Sequence, residues 1–102
     1  MIVRLWHGKT PAAKANRYLD FLKRRAIPDY ESVDGNRGAY VLRRFDGDEA
    51  HFLTLSFWES EAAIERFVGP DIETATYYPE DDEYLLEFEP TVRHYELYSS
   101  EE

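Results

Sequence analysis

The chain has 102 residues, of which 43% are hydrophobic and 16% aromatic, with no cysteine and a net charge of −9. That length and apolar content suit one folded domain over residues 1–102 rather than a disordered segment. The lack of cysteine excludes a disulfide framework, a thiolate metal site and a Cys nucleophile, and no apolar run reaches the length of a signal peptide or membrane span, so a cytoplasmic protein without membrane contact is expected.

Ile2 to His7 reads as a first strand ended by Gly8-Lys9, with Ile2, Arg4 and Trp6 alternating against Val3 and Leu5. Thr10 is a candidate N-cap, with Pro11 at the first helical position, where its missing N–H costs nothing. Ala15, Tyr18, Leu19, Leu22 and Ala26 follow at helical spacing, and Pro28 is expected to stop the helix. Lys23-Arg24-Arg25 is the only basic run. At a helix C-terminus it complements the dipole and does not amount to the basic stripe that a phosphate backbone requires, so nucleic acid is not an expected partner. Residues 28–37 read as a loop through Asp34-Gly35-Asn36.

Ala39 to Phe45 and Ala50 to Phe57 form a hairpin about Asp46-Gly47-Asp48-Glu49. Parity places Tyr40, Leu42, Arg44, His51, Leu53, Leu55 and Phe57 on one face, and Ala39, Val41, Arg43, Phe45, Phe52, Thr54, Ser56 and Trp58 on the other. Neither face is polar throughout, so both are expected to be covered. The Leu/Phe face is read as the seat of the helices, which puts His51 beneath them. The Phe52/Thr54/Ser56/Trp58 face, joined by Ile2 and Trp6, is read as the wall of a ligand cavity or of a second stacked sheet. Because two helices cover only one side of such a sheet, a symmetric homodimer burying Val41, Phe45 and Phe52 is expected.

Ser60 is the N-cap candidate of a second helix carrying Ala63, Ile64, Phe67 and Val68, ended by Gly69-Pro70, and residues 71–75 leave room for one more helical turn. Tyr77-Tyr78-Pro79 and the acidic run Glu80 to Glu83 read as an exposed connection. That run lacks the spaced oxygen ligands and internal glycine of a Ca²⁺ loop. The chain then reads as extended from Tyr84, with Pro90 as an edge, bulge or break, and Thr91 to Tyr98 as the last strand before a frayed tail over residues 99–102. Residues 59–102 hold fourteen Asp/Glu and two Arg, so the acidity is concentrated in this half. The order β-α-β-β-α-β is the split βαβ, ferredoxin-like pattern: an α+β fold with a four-stranded antiparallel sheet.

Phe57-Trp58-Glu59-Ser60-Glu61-Ala62, at the junction of the third strand and second helix, resembles a signature of the antibiotic biosynthesis monooxygenase family, within the dimeric α+β barrel superfamily. The resemblance implies a dimeric barrel in which Trp58 faces the cavity. It also implies an activity among cofactor-independent oxygenases that convert phenolic or anthrone-like molecules to quinones. Heme-degrading members use a histidine on the second helix. Here that stretch is Phe67-Val68-Gly69-Pro70, and no histidine lies between His51 and His94, so heme degradation is not the implied activity.

The candidate catalytic residues are Arg4, as partner of a developing oxyanion, and His94, as a general base. The plainer readings are a salt bridge for Arg4 and a structural role for His94. Trp6, Phe52, Thr54 and Trp58 are the candidate ligand-pocket residues. No metal or cofactor is expected: His7, His51 and His94 lie on three strands without ligand spacing, and no phosphate-binding glycine loop is present. Two functions are open, a cofactor-independent monooxygenase of a small aromatic or phenolic substrate, or a non-catalytic barrel that binds a small ligand or is purely structural.

Overall fold

The computed structural model describes residues 1–100; of the anticipated tail, Glu101 and Glu102 lie outside the described residues. The elements are β1 (Ile2–Pro11), α1 (Ala15–Phe21), a π-helical turn (Leu22–Ala26), α2 (Ile27–Glu31), β2 (Asn36–Asp46), β3 (Glu49–Trp58), α3 (Glu61–Val68) and β4 (Arg93–Glu96). The strands form one antiparallel sheet in the order β2-β3-β1-β4, the ferredoxin-like arrangement. The hairpin closes with Asp46 opposite Glu49. Gly47 at φ 59 supplies the left-handed first position of its two-residue turn.

The hairpin parity holds, but the two faces exchange roles. Ala50, Phe52, Thr54, Ser56 and Trp58 are the buried residues of β3, and Arg4, Trp6, Gly8 and Thr10 those of β1. The chain's own helices cover this face: Tyr18 sits edge-on to Phe52 at 5.0 Å, and Phe67 of α3 stacks on Trp58 at 5.9 Å. The expected burial of Phe52 and Val41 against a second sheet is therefore corrected: Phe52 is core under the protein's own helix, Val41 packs at the edge of that core, and Phe45 is exposed at the hairpin end. The Leu/Phe face is the open one, with Tyr40, Leu42 and Tyr95 about half exposed. Side-chain size explains the exchange. Ala50, Thr54 and Ser56 leave room for Tyr18 and Tyr30 to seat against the sheet, whereas Leu53, Leu55 and Phe57 would hold a helix away.

The first helical segment does not stop before Pro28. Tyr18, Leu22, Ala26 and Tyr30 form a buried row at four-residue intervals that runs through the proline. A proline here lacks the N–H for the carbonyl four residues back and crowds it. The π turn at Leu22–Ala26, immediately before Ile27 and Pro28, is the local widening that accommodates both. β1 also runs past Gly8-Lys9 to Pro11, and Thr10 caps nothing: its hydroxyl donates to the Pro11 carbonyl at 3.0 Å. Gly8 is needed inside the strand because the Trp6 indole folds over it; a Cβ there would lie 2.3 Å from Trp6 Cη2. Ser60 caps α3 as expected, its hydroxyl accepting from the Ala63 N–H at 3.2 Å.

The acidic connection is not an exposed loop throughout. Residues 71–75 make a turn rather than a helix, Thr74 bridges Thr91, Pro79–Glu83 forms a 3₁₀ turn, and Asp81 is buried. The last strand is shorter than expected, at Arg93–Glu96. A Gly8→Ala substitution tests the Trp6–Gly8 contact. Overpacking should cost about 1–3 kcal/mol, read as a lower denaturation midpoint with an unchanged slope. An unchanged midpoint would mean that the indole does not rest on the strand.

Candidate functional site

Arg4 stands on β1 with Ser56 beside it on β3 and His94 beside it on β4. It is 3% exposed. Its Nη2 donates to the Thr74 carbonyl at 2.8 Å and its guanidinium lies 5.9 Å from the Phe67 ring. Its Nε has no partner, and no carboxylate ion-pairs with it among the described residues. Burial lowers its pKa, with the nearby Tyr30 opposing, yet a guanidinium stays charged at any ordinary pH. The result is a buried cation with unfilled donor capacity and no ion pair within the chain among the described residues.

His94 shares the face of Arg4 because the two are direct partners in the β1–β4 ladder. Its Nε2 is buried without a partner. Desolvation, then the charge of Arg4, lowers its pKa, with Glu73 and Glu61 opposing. A lowered value leaves the imidazole neutral at pH 7, the state a base requires. Tyr30, beyond the expected helix stop, is buried over the same row beside Thr54. Desolvation chiefly raises its pKa, so it is a neutral phenol.

The four residues expected to line a pocket all lie on this face. Trp58 is fully buried, and its indole N–H already donates to Ser56 Oγ at 2.8 Å. Phe52 and Thr54 lie under the first helical segment, and Trp6 donates through Nε1 to the Tyr77 hydroxyl at 3.2 Å. The space among Trp6, Tyr18, Tyr30, Tyr78 and Asp81 is only about 10 Å³, room for a single water at most. Trp6 and the tyrosines over it thus meet in a filled interior, with Arg4 buried on the same face and His94 partly exposed at its edge. His94 also borders a groove of about 370 Å³ beside Glu73 and Tyr95.

A second cluster lies on the open face. His7 Nε2 is 3.0 Å from His51 Nδ1, and His7 Nδ1 is 3.0 Å from Glu89 Oε1. His51 is therefore not beneath the helices. The two histidines are near-neighbours on adjacent strands, since His7 pairs with Leu53 and Lys9 with His51, a proximity that parity alone could have suggested once the pairing was known. Larger hollows of about 500 and 310 Å³ flank them over Leu5, Leu42 and Leu53. Among the described residues no group of three or more His, Asp or Glu could hold a metal ion, and no helix is long and apolar enough to cross a membrane.

Folding stability should fall as the pH drops below about 6.5, because unfolded His94 takes its proton at the ordinary value while folded His94 resists it. In a His94→Gln variant this acid limb should be shallower than in the wild type, measured by urea titration at stepped pH. Parallel curves would place His94 in water.

The sequence model of the antibiotic biosynthesis monooxygenase family matches residues 1–76. No curated protein matches the chain. The family's fold is the ferredoxin-like one of dimeric α+β barrels, and the single chain has its four-stranded antiparallel sheet with helices on one face. The chain belongs to the antibiotic biosynthesis monooxygenase family.

Proposed function

We propose that this member of the family is a cofactor-independent monooxygenase of a small, weakly acidic aromatic molecule. The observation that carries the reading is the Arg4–His94 pair: a buried guanidinium without a counter-carboxylate, cross-strand from an imidazole held neutral. A phenol or anthrone entering there gives its proton to His94, and the resulting oxyanion meets the unfilled donor of Arg4. The electron-rich anion then reduces O₂. One oxygen enters the substrate as a carbonyl and the other leaves as water; the four electrons come from the ring CH₂ of an anthrone, or from a ring C–H and the O–H of a phenol that becomes a quinone. The surrounding aromatic rings keep water away from the reacting carbon.

A second reading has its own support. The interior beside Trp6 is filled to about 10 Å³, which suits a barrel that binds a ligand without chemistry or only holds a dimer together. Oxygen uptake with an activated anthrone, after exhaustive chelation, separates the two. The oxygenase consumes O₂ at a rate that rises as His94 is deprotonated, and Arg4→Gln lowers that rate by about 10²-fold. Clear ligand binding with no uptake across a panel of phenols and anthrones favours the non-catalytic barrel.

The working unit on this reading is a cytoplasmic homodimer of one-domain chains. Its interface is the open face, where Tyr40, Leu42 and Tyr95 are about half exposed around the partly buried Leu5, Leu53, Leu55 and Phe57, and Tyr40 packs edge-on to Phe57. An apolar sheet face of this extent is rarely left in water, and one patch meeting its own copy closes as a dimer. Leu55→Asp should leave the far-ultraviolet spectrum unchanged and halve the mass in sedimentation. A wild type that sediments as a monomer at micromolar concentration contradicts the assembly.

A further inference from the structure

The open face carries a chain of polar groups that the proposed oxygenase chemistry does not use. Glu89 Oε1 lies 3.0 Å from His7 Nδ1, and His7 Nε2 lies 3.0 Å from His51 Nδ1. A carboxylate only accepts, so His7 carries its hydrogen on Nδ1. His7 Nε2 then accepts from the His51 Nδ1–H, and the lone pair of a neutral His51 is left on Nε2. The ring centroids are 5.2 Å apart and the planes are inclined by 23°, so the rings meet nearly end to end. A metal ion gripped by two opposed imidazoles would need about 4 Å between the nitrogens; the gap here holds a proton. Glu89, His7 and His51 thus form a relay in which a carboxylate orients one imidazole and that imidazole orients the next.

The free end of the relay opens on a hollow. His51, Leu42, Leu53 and Arg44 line a space of about 310 Å³, which lies in the range of small-ligand sites. Arg44 is the cross-strand partner of His51 and shares its face. It is exposed and makes no ion pair among the described residues. The neighbouring cations are engaged: Lys9 lies 3.8 Å from Glu49 and 3.6 Å from Glu87, and Arg43 donates to Asn16 Oδ1 at 3.0 Å. Asp46 Oδ2 stands 3.9 Å from His51 Nε2, beyond hydrogen-bond reach. A hydrogen on Nε2 therefore still has a bond to give. The hollow combines a leucine floor, one unpaired guanidinium and one imidazole nitrogen that becomes a donor when it takes a proton.

We propose that this hollow is a second small-molecule site, which binds a monocarboxylate with an apolar body and takes up a proton as it does so. The apolar body rests on Leu42 and Leu53. One carboxylate oxygen meets Arg44, and the other accepts from His51 Nε2–H. The proton comes from solvent onto the Nε2 lone pair, and no bond of the ligand breaks. The charge gained by His51 is offset by the ligand and, through His7, by Glu89. A neutral alcohol lacks the charge that Arg44 attracts, and a dianion is repelled by Asp46. The site uses neither Arg4 nor His94, so it stands apart from the oxygenase reading. Leu42 and Leu53 also belong to the face assigned above to a second copy. The charged rim of Arg44 and Asp46 opposes a dry contact at this end, so the second copy borders the hollow without filling it.

The test titrates 2-naphthoate into the full chain by calorimetry at about pH 7.5, above the ordinary histidine value, in two buffers of different ionisation enthalpy. The wild type should bind with heats that differ between the buffers by the equivalent of about half a proton taken up or more. His51→Gln should abolish the uptake and weaken binding at least about ten-fold. Arg44→Gln should weaken binding by a similar factor and keep the uptake. Glu89→Gln retains an acceptor for His7 and removes the charge, so it should bind with reduced uptake even if His51→Gln does not fold. A wild type that does not bind 2-naphthoate, or that binds it without proton uptake, overturns the second site. So does binding whose affinity and uptake survive His51→Gln, or, with that variant unfolded, survive both Glu89→Gln and Arg44→Gln.

Discussion

The close approach of the first helical segment to the sheet governs everything else in this fold. It depends on a stripe of small side chains, Ala50, Thr54 and Ser56 on β3, lying between the large Phe52 and Trp58, and on Gly8 of β1, over which the Trp6 indole lies flat enough to admit the helix. Tyr18 and Tyr30 seat in the gaps so formed, as knobs of one layer in hollows of the other. Replace the small residues by leucines and the helix must lift, the rings lose their partners, and the interior opens to water. The Leu-rich face has no such gaps and stays open in the chain.

Seating the helix this way places a charge where water cannot reach. Arg4 is carried into the dry layer by strand alternation, between Ile2 and Trp6. A buried guanidinium is tolerated when its donors are met, and among the described residues the Thr74 carbonyl and the Phe67 ring are its contacts. A structural role alone would have favoured a carboxylate partner. An unpaired cation beside a neutral imidazole instead suits a site whose partner is an anion formed in place. The proposed chemistry rests on that arrangement and on the family, and the filled interior on the segment after residue 76.

Much of this is legible in the sequence, and the failures have definite causes. The hairpin is readable from Asp46-Gly47 and the strand propensities, and parity groups its side chains correctly. The Ser60 cap and the Gly69 stop are local chemistry and read correctly. Which face the helices cover is not legible from alternation, because both faces of β3 are apolar; the deciding signal is side-chain size, not hydrophobicity. Pro28 reads as a stop because a proline rule is local, whereas the buried row from Tyr18 to Tyr30 that overrides it is tertiary. With the helix cut short, Tyr30 drops out of the candidate site. Arg4 and His94 each stand out, yet their meeting depends on the β1–β4 register, which no residue spacing encodes. The acidic run looks solvated because charge dominates its composition. Asp81 is nonetheless drawn inside by the Tyr18 hydroxyl and the Tyr78 N–H.

The central claim is that Arg4 and a neutral His94 form one anion-accepting pair. Long-range ¹H–¹⁵N correlation spectroscopy of the His94 ring at pH 7, with and without a phenolic ligand, addresses it most directly. The account predicts a neutral ring in the free protein, with Nε2 shifting toward the protonated value as the ligand is added and an Arg4 Nε–H resonance moving downfield in step. A His94 ring already charged at pH 7, or one that ignores a ligand shown to bind, would contradict it.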